Sequence, residues 1–134
     1  HQNLTRYAKR VIKPRTTLES FERSKFFTGR PIARSRLKVL TWLAERGTDF
    51  TPDDRHDDSR KCLSYCVSTG SKFVMCLFNA NFNDVMWKLP ALSSDTQWNL
   101  LLDSSDKYAD DAQAANGAEI KVPAWSVLVF EIKK

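Results

Sequence analysis

The sequence predicts a mainly β chain with a helical entry, an antiparallel sandwich or barrel instead of alternating β/α units. Three observations carry this expectation. Segments of strand type recur seven times at short spacing between residues 38 and 132, with Gly, Pro, Asn and Asp between them. Phe73 to Phe78 is apolar on both alternating sets of positions, as a central strand covered on both faces must be. Helical periodicity is strongest at the start, where Leu4, Tyr7, Ala8, Val11 and Ile12 alternate with Arg6, Lys9, Arg10 and Lys13, so no helix follows strand after strand.

In chain order, the amphipathic helix of residues 4–13 meets Pro14, which lacks an amide donor and is expected to end or kink it. Thr17 then caps a short second turn running through Leu18 and Phe21 to Lys25. Gly29 and Pro31 break regular structure just after Phe26 and Phe27, two rings that need cover. Lys38 to Leu43 reads as the first strand, and Ala44 to Arg60 as a long polar passage. Lys61 to Thr69 alternates Leu63, Tyr65 and Val67 with Cys62, Ser64 and Cys66, and Thr69-Gly70-Ser71 turns tightly into the central strand. Asn79 to Asn83, rich in a residue that tolerates left-handed backbone, predicts a hairpin onto a strand with Val85, Trp87 and Leu89 inward. Residues 91–96 form a loop, and Trp98, Leu100 and Leu102 begin another strand. Ser104 to Gly117 reads as an exposed loop with a helical turn. Glu119 to Val122 is a half-buried strand, Pro123-Ala124 a turn, and Ser126 to Ile132 the last strand.

At 134 residues there is room for one domain with a sizeable core. No stretch approaches the roughly 18 uninterrupted apolar residues of a membrane helix, so no membrane partner is expected. The chain lacks an initiator Met and a leader pattern, which reads as a cut in a longer polypeptide. Residues 1–40 carry eleven Lys and Arg against two acids, and residues 41–134 ten against fourteen. A basic arm of this kind is either a nucleic-acid contact or a solvated or partner-facing helix, and the second reading is favoured. Cys62, Cys66 and Cys76 are odd in number, and Cys76 lies in the most apolar strand, which points to free thiols and a reducing compartment. Cys62 and Cys66 with His56 lack a clear fourth zinc ligand. Asp53, Asp54, Asp57 and Asp58 lack the fixed offsets and glycine of a calcium loop. No metal and no cofactor are expected.

Several of these segments carry a resemblance. Leu77-Phe78-Asn79-Ala80 with Val85 and Leu89-Pro90, Phe26 to Ile32, Thr41-Trp42-Leu43, Thr51-Pro52-Asp53-Asp54, Trp98 to Asp103, and the stretch Val122 to Glu131 together resemble the C-terminal domain of glycogen- and starch-debranching enzymes, the isoamylase branch of the α-amylase superfamily. The motifs keep the family's order across most of residues 6–132. The chain departs from the pattern at Pro14, inside what corresponds to the last barrel helix, at Arg55, where the family usually has Trp, and at Trp125, where it usually has Arg.

The resemblance implies a Greek-key β-sandwich over residues 38–134, preceded by a basic helical segment and linker over residues 1–37 that is the remnant of the last catalytic-barrel helix. It implies a closing hairpin around Pro123, and a parent that hydrolyses α-1,6-glucosidic bonds. The catalytic carboxylates of such a parent sit on barrel strands that this chain does not contain, so the chain itself is expected to be non-catalytic, with the barrel of its own parent as partner. The two histidines, His1 and His56, supply no nucleophile constellation. Tyr7, Val11, Phe26 and Phe27 are the expected interdomain packing residues. Sugars stack on exposed aromatic rings, which makes Trp42 and Trp125 the candidate carbohydrate contacts, while Trp87 and Trp98 fit the inward sets of their strands. The alternative reading is an independent α-glucan-binding module. The expected compartment is the cytoplasm, or a plastid in a plant or alga.

Overall fold

The computed structural model describes residues 2–17, 30, 38–68, 71–92 and 97–133. Its elements are α1 (Gln2–Thr17), β1 (Leu40–Leu43), a one-turn helix α2 (Pro52–Arg55), β2 (Cys62–Ser68), β3 (Lys72–Asn79), β4 (Val85–Lys88), β5 (Trp98–Asp103), β6 (Gln113–Ala114), β7 (Glu119–Val122) and β8 (Ser126–Lys133). Six strands form an antiparallel sheet in the order β1-β2-β3-β8-β5-β6, and β4 and β7 form a second, two-stranded sheet. The chain is therefore mainly antiparallel β with an N-terminal helix. All seven expected strands are present, and β6 is an eighth, pairing with β5 inside the segment read as a loop.

The doubly apolar β3 sits centrally, as its composition requires, with β2 on one edge and β8 on the other. Its inward residues Phe73, Met75 and Leu77 pack with Leu43, Leu128, Phe130 and Ile132, and with Trp87, Leu89 and Val122 from the smaller sheet. At roughly 1.5–3 kcal/mol for each large apolar side chain removed from water, this shared interior is what joins the two sheets. The opposite face of β3 contributes Val74 and Cys76 to a second cluster with Val129, Tyr65, Phe78, Leu101, Leu102 and Val127. A register shift between Leu100 and Leu102 places these two residues in different clusters.

Two hairpins are corrected. Asn79 to Asn83 does not fold β4 back onto β3, since β4 pairs with β7 and both edges of β3 are occupied. Trp87 and Leu89 find their cover between the sheets, and the Asn-rich passage carries the chain from one sheet to the other. For the same reason Pro123-Ala124 does not close a hairpin, because β7 belongs to the small sheet and β8 inserts between β3 and β5.

Pro14 does not end the first helix, which runs on to Thr17. Its ring is the one buried residue of α1, so packing outweighs the roughly 3 kcal/mol that a proline costs a helix interior. The hydroxyls of Thr16 and Thr17 donate to the Lys13 carbonyl at 3.1 and 2.8 Å, satisfying last-turn acceptors. Arg6 and Arg10 reach Asp106, and Arg10 also reaches Asp110, which ties the helix to the segment after β5. Leu4, Tyr7, Val11 and Ile12 consequently point away from the β domain and are exposed. Phe26, Phe27 and the turn expected up to Lys25 lie outside the described residues.

Candidate functional site

Catalysis needs an available acid, base or nucleophile. Glu45 and Asp54 converge, but on the same cation: Arg60 donates to Glu45 at 2.7 Å and to Asp54 at 2.7 Å. Asp54 also binds Arg46 and accepts from the Thr51 amide at 2.8 Å, completing a capping box for α2. The Arg46 hydrogen bond, with those from Thr51, holds the Asp54 carboxyl far below the usual range. Asp103 is fully buried, and burial alone raises a carboxyl. Its hydrogen bonds from Ser105, Tyr108 and Lys107 outweigh that and leave it lowered. These carboxylates are acceptors already engaged by neighbouring donors, not proton donors poised at a cleft.

The three thiols are free and buried. Burial, with the nearby Glu45, pushes Cys62 up to about 11, and burial raises Cys66 and Cys76 as well. They stay protonated at neutral pH and are poor nucleophiles. Among the described residues no three His, Cys, Asp or Glu side chains gather as a metal site would require.

Among the described residues, two groups of neighbouring aromatic side chains reach the surface. Trp42 lies on β1 and meets Tyr65 of β2 edge-to-face at 5.6 Å, and Tyr65 stacks on Phe78 of β3 at 6.0 Å. The row runs across the outer face of the large sheet, with Leu63 beside it, because residues paired across antiparallel strands share a face. Trp42 and Leu63 are each 38% exposed. Farther along the same face, toward β5, Arg10, Pro14 and Thr17 of α1 border a cavity of about 510 Å³ with Lys72, Leu101 and Glu131.

Trp125 stands elsewhere, on the link between β7 and β8, and is 64% exposed. Its partner is Phe82, from the passage between β3 and β4, at 5.3 Å and nearly perpendicular. Lys61 places its ammonium 5.0 Å from the Phe82 ring centre. Trp125 has φ +53°, a left-handed value that is a real outlier for so bulky a residue and costs about 1 kcal/mol.

Asn79 holds the two loops together. It is 2% exposed, and its Nδ2 donates to the carbonyls of Asn83, Val122 and Pro123 at 3.0–3.1 Å while its Oδ1 accepts from the Asn81 amide at 2.9 Å. Asp84 accepts from the Ala124 amide at 3.0 Å, and the Ser126 hydroxyl donates to Pro123 at 2.6 Å.

Of the residues singled out from the sequence, Trp42 and Trp125 are thus surface aromatics on separate patches, and Trp87 and Trp98 are core, fully buried. Tyr7 and Val11 lie on the exposed side of α1. Phe82, Asn79 and Asp84 were missed, although a lone aromatic inside an Asn-rich passage was a visible signal. Compared with models of known protein families the chain matches none, and no characterised protein matches it in sequence.

Proposed function

We propose that this chain is the non-catalytic C-terminal domain of an isoamylase-type debranching hydrolase, a Greek-key β-sandwich that braces the (β/α)8 barrel of its parent. The observation that carries the reading is the outer face of the large sheet. It presents the Trp42–Tyr65–Phe78 row and Leu63 at its surface, next to the docked α1 with its own exposed Leu4, Val11 and Ile12. Large apolar side chains on neighbouring surfaces of one small domain are what an interdomain contact leaves behind. The carboxylates that converge are neutralised by Arg60, in keeping with a supporting role.

The order of strands also fits. The chain leaves the large sheet at β4 and β7, and β8 returns between β3 and β5, so its path crosses between two sheets as the proposed sandwich needs. The motifs from Leu77 to Pro90 and from Trp98 to Asp103 fall on the core strands and their ends, where a structural domain needs them. Expression with the barrel encoded upstream tests the reading. Copurification that is lost in a Trp42→Lys, Leu63→Lys double variant is the expected result. An upstream reading frame without a (β/α)8 pattern, or hydrolysis of α-1,6-glucan by this chain alone, overturns it.

A further inference from the structure

We infer that α1 is a releasable strap, latched onto the β domain by Asp106 and Asp110 and able to leave it while the two sheets stay folded. The inference does not rest on the proposed parentage. A permanently docked helix is fastened by its apolar stripe, buried against the core. In α1 that stripe faces outward, and Pro14 is the one buried residue of the helix. Where α1 passes over the large sheet, Arg10, Lys13, Pro14 and Thr17 border a cavity of about 510 Å³ with Lys72, Leu101 and Glu131, in place of interlocked side chains.

The latch is a built feature of the turn after β5. Arg6 and Arg10 lie one helical turn apart, so both reach a single acceptor, and each takes one oxygen of the Asp106 carboxylate at 3.1 Å. Arg10 also binds Asp110 at 3.0 Å. Asp106 has φ +57°, a left-handed value that Asp and Asn adopt more readily than other side chains with a Cβ. The buried Asp103 accepts from the amides of Ser105, Lys107 and Tyr108 at 2.8–2.9 Å, which fixes the turn that presents Asp106 to the helix.

Solvent sets the strength of this latch. Arg6, Asp106 and Asp110 are each more than half exposed, and ion pairs so placed are individually weak and screened by salt. The apolar interior shared by the two sheets is not screened in this way. Release of α1 and unfolding of the sheets therefore answer to different variables. Once off the sheet, α1 also loses its helix, since a lone 16-residue segment with an internal proline is marginal in water. Release opens the cavity on the face that also carries Trp42, so the strap governs how much of that face is available.

The experiment is amide hydrogen exchange, followed by mass spectrometry on the 134-residue chain at about 0.01 M and about 1 M NaCl, where the screening length falls from about 30 Å to about 3 Å. Protection within residues 2–17 is expected to fall about tenfold at the higher salt while β3 and β8 keep theirs. Asp106→Asn removes the charge and keeps a residue that tolerates the left-handed backbone. The Asp106→Asn, Asp110→Asn double variant is expected to show the lower protection already at low salt, with no further response to salt. The inference is overturned by wild-type α1 protection that salt does not change, by a double variant as protected as the wild type at low salt, or by β3 and β8 opening in step with α1 in the wild type. The wild-type salt series involves no substitution, so it decides the matter even where the double variant folds poorly.

Discussion

Replacing Asn79 by Ala is expected to cost about 3 kcal/mol, because this one side chain on β3 hydrogen-bonds across to β7 and to the segments beside it. Its amide NH2 has two hydrogens shared among the carbonyls of Asn83, Val122 and Pro123, and its oxygen accepts from the Asn81 amide. That makes three hydrogen bonds' worth of satisfied polar groups. A net contribution of about 1 kcal/mol per bond gives the total, and the penalty for taking this donor away from the Val122 carbonyl in a buried place raises it, while Pro123 keeps its bond from Ser126. With an unfolding entropy of about 2.1 cal/mol/K per residue, such a loss lowers Tm by roughly 10 °C. Urea denaturation followed by circular dichroism measures it. The urea slope should stay constant while the midpoint falls. Asn79→Asp is the discriminating variant, because it keeps the acceptor and the shape but turns an anion toward three carbonyl oxygens. It should be worse than Ala. A loss below about 1 kcal/mol for N79A, or an Asp variant milder than Ala, would refute the clamp.

Three further outcomes follow from the structure. Gly47 has φ +76°, and a Cβ there falls 2.8 Å from the Lys88 carbonyl oxygen, so Gly47→Ala should cost more than about 1 kcal/mol by thermal melting. Asp103 has a lowered carboxyl, so its contribution is complete above the ordinary value of 3.8 and is lost as pH falls through the lower folded value. The wild type should lose stability below pH 3.8, and Asp103→Asn, already less stable at pH 7, should show a flatter acid limb in pH-dependent urea titrations. Iodoacetamide at pH 8 should label Cys62, Cys66 and Cys76 slowly in the native chain and all three quickly in urea, as mass spectrometry reports; rapid native labelling contradicts the burial and raised thiols.

Much of the strand content was legible locally. Phe73 to Phe78 is apolar on both faces, and no exposed or edge strand tolerates that, so its central place follows from composition. Trp87, Leu89 and Trp98 fell on inward positions because side-chain direction alternates strictly. The site was less legible. Trp125 stood out as a candidate sugar contact, but Phe82 comes from a loop more than forty residues away, and only the fold brings the two rings to 5.3 Å. The hairpin expected at Asn79 failed for a related reason: turn-forming residues show that the chain changes direction, not which strand it joins next.

The helix gives the same lesson. Its apolar stripe was visible, and the ordinary inference is that such a stripe faces the core. Instead Arg10 and Pro14 face the β domain, because Asp106 and Asp110 hold the arginines and leave Leu4 and Val11 outward.

The amino-acid sequence by itself determined where strands form, which of their faces are apolar and that the chain is mainly β, since those depend on neighbours two to four residues apart. Tertiary structure alone decided which strands pair, which way α1 turns and that Phe82 meets Trp125. Those outcomes depend on competition among distant segments for the same edges and the same buried volume, and no local pattern records the winner.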